Sequence, residues 1–169
     1  MKPKYLVYIL TAMILAFVIR GYFCVDMVSV YLDALSKGAK ILLGGIKHNY
    51  GDSFVEPTIV TNISDDMLIC STEIFGPVAA IYSFDDEKQI IKIANNTRAG
   101  LAAYFYGKNN SKIWKTAEGL EYGMVGVNTG LISTTIAPFG GVKESGFGRE
   151  GSKYGINEYI VLKYICMKI

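Results

Sequence analysis

Apolar positions along this chain recur with two periods, and the places where the period changes mark out its elements. Tyr5–Ile19 is an unbroken apolar run apart from Thr11, bounded by Lys2 and Lys4 before it and Arg20 after it. That pattern fits a signal peptide or a short anchor. At this length it falls short of the ~20 residues a bilayer core requires, and extending it means crossing Arg20, whose burial in hydrocarbon is costly. No clean small-x-small cleavage site follows. The alternative reading of residues 1–25 is an unnatural start, such as a truncated or misassembled reading frame.

From Asp26 onward the pattern predicts alternating helices and strands. Met27, Val30, Tyr31, Ala34 and Leu35 share one helical face, Gly38 stops that helix, and Ala39–Leu43 reads as a short buried strand closed by Gly44 and Gly45. Phe54–Asn62 is an extended segment containing Pro57, and Val78–Phe84 is a β-rich run ending at Asp85, the expected cap of a helix that buries Ile90, Ile93 and Ala94. Leu101–Tyr106 is the next strand. Asn109 or Asn110 then caps a helix with Ile113, Trp114, Ala117 and Leu120 on its apolar face, and Met124–Val127 is a further strand. Glycine and serine crowd Phe139–Ser152, which must be irregular, and Glu158–Met167 reads as a terminal strand. Strands alternating with helices predict an α/β fold with a parallel sheet buried on both faces.

Composition narrows the chemistry rather than naming it. The 169 residues carry a formal net charge of +2, which calls for no nucleic-acid partner. Cys24, Cys70 and Cys166 lie far apart and the single His48 completes no ligand set with them, so neither a zinc site nor a disulfide framework is expected. Free cysteines at such spacing suit a reducing compartment, and Cys70 and Cys166 are expected to be small buried hydrophobes. Asn62, Asn95 and Asn109 begin glycosylation sequons, a pattern common by chance that matters only if the chain enters a secretory lumen.

Gly146-Phe147-Gly148-Arg149-Glu150-Gly151 spells the dinucleotide fingerprint G-x-G-x-x-G, but its context is wrong. The motif needs a strand before it and a helix after it, so that the helix N-terminus meets pyrophosphate. Here a polar stretch precedes it, no amphipathic helix follows, and no acidic residue remains ~20 positions on to hold a ribose. These glycines are expected to serve turns and close packing.

Longer strings are more informative. Glu73-Ile74-Phe75-Gly76-Pro77 is followed by Pro138-Phe139-Gly140-Gly141-Val142-Lys143-Glu144-Ser145-Gly146 and then by Gly148-Arg149-Glu150. In order and separation they resemble two hallmarks of the aldehyde dehydrogenase superfamily. Gly100–Tyr106, Val125–Ser133 and Gly151–Ile156 resemble its succinate-semialdehyde branch. The resemblance implies that residues 26–169 form part of the family's catalytic α/β domain, a parallel sheet with flanking helices, and that Tyr159–Met167 is a strand of an oligomerisation sheet, open to a homo- or hetero-oligomeric partner.

Carried across by residue, the resemblance makes Glu73 the carboxylate that accepts hydrogen bonds from a cofactor ribose and Phe75 an aromatic beside the nicotinamide of NAD or NADP. Ser133 matches a hydroxyl facing the distal carboxylate of an acid-tailed aldehyde, and Phe139 matches an aromatic lining the aldehyde tunnel. Each role suits the residue type: a carboxylate orients two hydroxyls, and a serine donates to an anion without burying a charge. Each also has an ordinary counterpart in a turn carboxylate, a core aromatic or a loop serine.

The family's nucleophilic cysteine, its general-base glutamate and most of its cofactor site match nothing in these residues. Catalysis by this chain alone is therefore not expected. The other readings are a non-catalytic partner of a full-length dehydrogenase and a membrane-tethered or exported module. By resemblance the compartment is cytosol or mitochondrion, or a membrane if Tyr5–Ile19 is an anchor.

Overall fold

A computed structural model describes residues 23–45, 50 and 54–169. The apolar run Tyr5–Ile19 and His48 lie outside the described residues. Among the described residues no helix is long and apolar enough to cross a membrane. The described residues fall into two units, those up to Ile90 and those from Ile91 to Ile169, with the boundary inside one helix.

The first unit opens with helix α1, Phe23–Ser36. It ends as the glycine predicts: Gly38 sits at φ +97°, the Ala39 N–H donates to Ala34 O (3.0 Å), and the Gly38 N–H donates to Leu35 O (3.1 Å). This double closure satisfies two helix-end carbonyls in a backbone region open mainly to glycine. Strand β1, Lys40–Leu43, pairs antiparallel with β2, Thr58–Thr61, and β2 pairs parallel with β3, Val78–Ala80.

The expected buried strand is only half right. Ala39 is buried, but Ile41, Leu42 and Leu43 are exposed because β1 is the edge of a three-stranded sheet, order β1-β2-β3, and the register shifts between Ile41 and Leu43. The parallel pairing expected from the pattern holds between β2 and β3, while the edge strand β1 runs against β2. The core gathers Ala34, Ala39, Val60 and Met67, with Tyr31, Leu35, Ile63, Ile69 and Val78 packed around it.

Helix α2, Glu87–Asn95, spans the boundary. Its cap is Asp86 rather than the expected Asp85: Asp86 Oδ1 accepts from the Lys88 N–H (3.0 Å), the bond that satisfies an orphan donor of the first turn. Ile90 is buried, as its spacing predicts.

In the second unit, β4 (Ala102–Phe105) pairs in parallel with β5 (Met124–Val127), and α3 (Asn110–Gly119) forms the crossover between them. Asn109 caps α3, its Oδ1 accepting from the Lys112 N–H at 3.0 Å, an interaction worth about 1 kcal/mol. Ile113, Ala117 and Leu120 are half-buried, whereas Trp114 is exposed. Trp114 lies about 100° round the helix from Ile113, at the margin of that apolar stripe, and its ring is exposed.

The glycine-rich stretch is irregular, as expected, with one 3₁₀ turn at Lys143–Ser145 and a bridge between Phe139 and Glu150. Gly146, Gly148 and Gly151 all have positive φ and lead into a second 3₁₀ turn, Gly155–Tyr159. No helix follows them, so the fingerprint is a series of turns. The terminal strand is a correction: Glu158 lies in the 3₁₀ turn, and residues 160–169 are exposed, with no ladder partner among the described residues. The backbone at Ile160 is extended (φ −121°, ψ 151°), but a strand exists only where neighbouring backbone accepts and donates its hydrogen bonds.

Candidate functional site

The four candidate residues divide between the units, Glu73 and Phe75 in the first, Ser133 and Phe139 in the second.

Glu73 and Phe75 lie between the 3₁₀ turn Leu68–Cys70 and β3. That turn is pinned from three sides. Met67 is sunk in the core, Asp33 Oδ2 accepts from the Leu68 N–H (2.8 Å), and Lys37 pairs with Asp33 Oδ1 (3.0 Å) while donating to the Asp66 carbonyl. The backbone bond from Leu68, followed by Lys37, holds the Asp33 carboxyl below the usual carboxylate range, so it accepts as an anion at neutral pH. On the far side, the Thr58 N–H donates to Pro77 O (2.8 Å) and the Val78 N–H to Gly76 O (2.8 Å). Glu73 and Phe75 are exposed between these anchors. A carboxylate and an aromatic ring held on a pinned loop fit the ribose and nicotinamide end of a dinucleotide.

Cys70, expected to be buried, is exposed, and so is Cys166. The Cys70 thiol nevertheless turns inward and donates to Ser64 O at 3.2 Å. Burial pushes it above the usual thiol range, assisted by Asp65 and Asp66. A raised thiol is a poor nucleophile at neutral pH. Iodoacetamide at pH 8 is therefore expected to label Cys166, in the open terminal segment, well before Cys70. Peptide mapping by mass spectrometry checks the order, and equal rates would contradict it.

Ser133 lies beyond the carboxyl end of β5, where parallel sheets place their ligands. Asn128, at φ +55°, ties that end to the neighbouring strand: its Oδ1 accepts from the Gly107 N–H (2.8 Å) and its Nδ2 donates to Gly107 O (2.9 Å). Ser133 is exposed and Phe139 half-buried. Phe139 is fixed through its backbone, which exchanges hydrogen bonds with Glu150 at 2.9 and 2.7 Å.

The segment after Phe139 is clamped by residues that sequence reading treated only as a motif. Lys143, at φ +57°, pairs with Glu121 (2.7 Å) and donates to Asn95 O (2.7 Å). Glu144 meets Arg98 through two bonds of 2.8 Å each, and Ser145 Oγ accepts from the Gly100 N–H (2.9 Å). The Arg98–Glu144 pair is exposed, so it supplies geometry more than energy. Arg149 Nη1 donates to Gly141 O and Gly148 O, 2.7 Å each. The signal for these roles was the alternation of charges within a glycine-rich run, but their partners are 45 or more residues away in several cases and could not be read from it.

An open depression of about 380 Å³ in this unit is lined by Pro138, Gly148, Arg149, Tyr154, Asn157 and Glu158. Neither Ser133 nor Phe139 lines it, so it is not the aldehyde site expected from the sequence. Among the described residues no cluster of histidine, cysteine or acidic side chains could hold a metal. The sequon asparagines do structural work: Asn62 Nδ2 donates to Gly38 O, Asn95 Nδ2 to Gly119 O, and Asn109 caps α3.

Comparison with known proteins adds the wider context. The family model described as "Aldehyde dehydrogenase family" matches residues 25–165. A mitochondrial succinate-semialdehyde dehydrogenase of Oryza sativa subsp. japonica is 60% identical over 135 residues, covering 80% of this chain and 26% of the relative. A glutarate-semialdehyde dehydrogenase of Pseudomonas aeruginosa is 52% identical over 135 residues, covering 80% and 28%. The crystal structure of a succinate-semialdehyde dehydrogenase from Burkholderia pseudomallei superimposes with a TM-score of 0.79 at 51% identity, covering 83% of this chain and 29% of that one. The chain thus spans about a quarter of the length of the curated relatives it matches.

Proposed function

The chain belongs to the aldehyde dehydrogenase family, and from that premise we propose that it supplies part of an NAD(P)-dependent oxidoreductase for a short, acid-tailed aldehyde of the succinate-semialdehyde type. The observation that carries this reading is the 60% identity, over most of the chain, to a relative named for that substrate. The 52% identity to a relative named for glutarate semialdehyde keeps the substrate class at an aldehyde with a terminal carboxylate.

In this reading the chain's own residues bind and orient. Glu73 accepts hydrogen bonds from the ribose hydroxyls, and Phe75 restricts the adjoining ring. When bound, NAD or NADP would supply the hydride acceptor. Ser133 donates to the substrate's distal carboxylate, and Phe139 forms part of the apolar wall that keeps water from the reacting carbon. The sulfur nucleophile and the glutamate base would come from family sequence outside these residues. Cys70 is unsuited to replace that nucleophile, since its thiol is engaged with Ser64 O and its ionisation is disfavoured. The mitochondrial relatives support a mitochondrial or cytosolic setting.

A second reading, association with a full-length dehydrogenase or another copy, draws on the terminal segment. Tyr159, Val161, Leu162, Tyr164 and Ile165 are all strongly exposed. An exposed apolar segment that pairs with no strand among the described residues is a template for strand addition.

The test is to assay the purified chain, free of any other dehydrogenase, with succinate semialdehyde and either cofactor, and to repeat the assay after co-expression with the remaining portion of a close relative. The chain alone should give no thiol-dependent NADH or NADPH, since loss of a covalent nucleophile removes several powers of ten in rate. The complemented sample should regain activity and prefer acid-tailed aldehydes. Production of NADH by the isolated chain, abolished by thiol alkylation, would overturn the division of roles; complementation favouring uncharged aldehydes would overturn the substrate class.

A further inference from the structure

We infer that Asn128 is the positioning residue for Ser133, closing a preformed return that presents the serine at the carboxyl end of the β4–β5 pair. Its functional consequence rests on the reading of Ser133 given above, but its geometry does not. Immediately after β5 the chain enters the left-handed region at Asn128 (φ +55°), which asparagine tolerates better than most residues. The Asn128 N–H continues the ladder by donating to Phe105 O (2.9 Å), while both ends of its side-chain amide engage Gly107, the N–H at 2.8 Å and the carbonyl at 2.9 Å. One residue thus finishes the sheet, reverses the chain and binds the segment that follows β4.

The return is completed four residues later. Thr129 Oγ1 accepts from the Leu131 N–H (3.2 Å), tightening the turn. Ile132 then folds back over Gly126: a Cβ on Gly126 would lie 2.9 Å from Ile132 Cγ2 and 2.6 Å from Tyr104 Cδ1. Gly126 therefore leaves the space that Ile132 and Tyr104 occupy. With the amide of Asn128 at one end and Ile132 at the other, the next residue, Ser133, has a set position although its side chain is exposed. Order at Ser133 is thus imposed from outside itself, which lowers the entropy cost of meeting a ligand.

The left-handed backbone and the amide clasp can be separated experimentally. Asn128→Gly keeps access to positive φ and removes the clasp. Asn128→Asp restores the acceptor for the Gly107 N–H without the donor. On the ¹⁵N-labelled chain, Ser133 should show an order parameter near the rigid value of ~0.85 in wild type and below ~0.6 in Asn128→Gly. Asn128→Asp should restore hydrogen-exchange protection at Gly107 and move Ser133 back toward the wild-type value. The Phe139 and Glu150 amides, bonded to each other, should be unchanged in both variants. A mobile Ser133 in wild type, an unchanged Ser133 in Asn128→Gly, or an aspartate no better than glycine would each overturn the inference. None of these readings depends on catalysis, so they stand apart from failure of the complementation assay.

Discussion

Replacing Gly123 by alanine is expected to cost about 3 kcal/mol, the upper range for forcing extra volume into a packed site. Gly123 stands immediately before β5, and its N–H donates to Gly100 O at 2.9 Å. A Cβ there would lie 2.1 Å from Gly140 O and 2.7 Å from Gly141 Cα. Both obstacles are backbone, so no side-chain rotation relieves them. Either β5 withdraws from its place beside β4, or the Gly140–Gly141 segment moves and carries Phe139 with it. The second route strains the Phe139–Glu150 bridge and the Arg149 bonds to Gly141 and Gly148. Urea unfolding should show a lower midpoint with little change in slope. Gly130→Ala is the control: no atom lies within 4 Å of its added methyl, and the change should stay within ~0.5 kcal/mol. Equal stability of the two variants would mean that the approach of Gly123 to Gly140 is not a constraint.

Local features of the chain were legible where a short-range rule determines them. Gly38 ended α1 and Asn109 capped α3, because each acts within one helical turn. Asp85 and Asp86 are adjacent acceptors, and which of them caps α2 depends on the residue at which the first turn begins, a one-residue difference that composition does not encode. What pairs with what was less legible. The apolar content of β1 signalled burial, but burial depends on whether a second layer covers the strand, and at this sheet edge the described residues supply none.

The terminal segment failed for a related reason. Its residues favour strand, yet its ladder requires backbone from elsewhere. At the candidate site the residue types and order were readable through the family motifs, while the supports were not. Asp33 beneath the Glu73 loop and Asn128 beside Ser133 act across 35 and 21 positions, and nothing local marks such pairs.

Met67→Ala should produce a loss of about 3–4 kcal/mol, within the ~2–5 kcal/mol seen when a large buried side chain is truncated. Met67 is 2% exposed and, with Val60, is among the largest fully buried side chains described. It fills the space between α1 and β2 alongside Ala34, Ala39 and Val60, where the alanines are too small to collapse into a void. The cost is also local. The Met67 N–H donates to Ser64 O (3.1 Å) and its Sδ lies 3.4 Å from the Ser64 nitrogen, so the side chain anchors the turn that precedes Glu73. With that anchor gone, Asp33 must hold the Leu68 N–H alone, and the Leu68–Phe75 segment should gain motion before the unit unfolds globally. Met67→Leu, which nearly conserves volume, should cost less than ~1.5 kcal/mol. Hydrogen exchange at the Leu68 amide, read beside the urea midpoint, separates the local from the global effect. If alanine and leucine destabilise equally, volume at this position is not what holds the Glu73 loop; if the Leu68 amide stays protected in the alanine variant, Asp33 suffices and the loop is fixed from α1 rather than from the core.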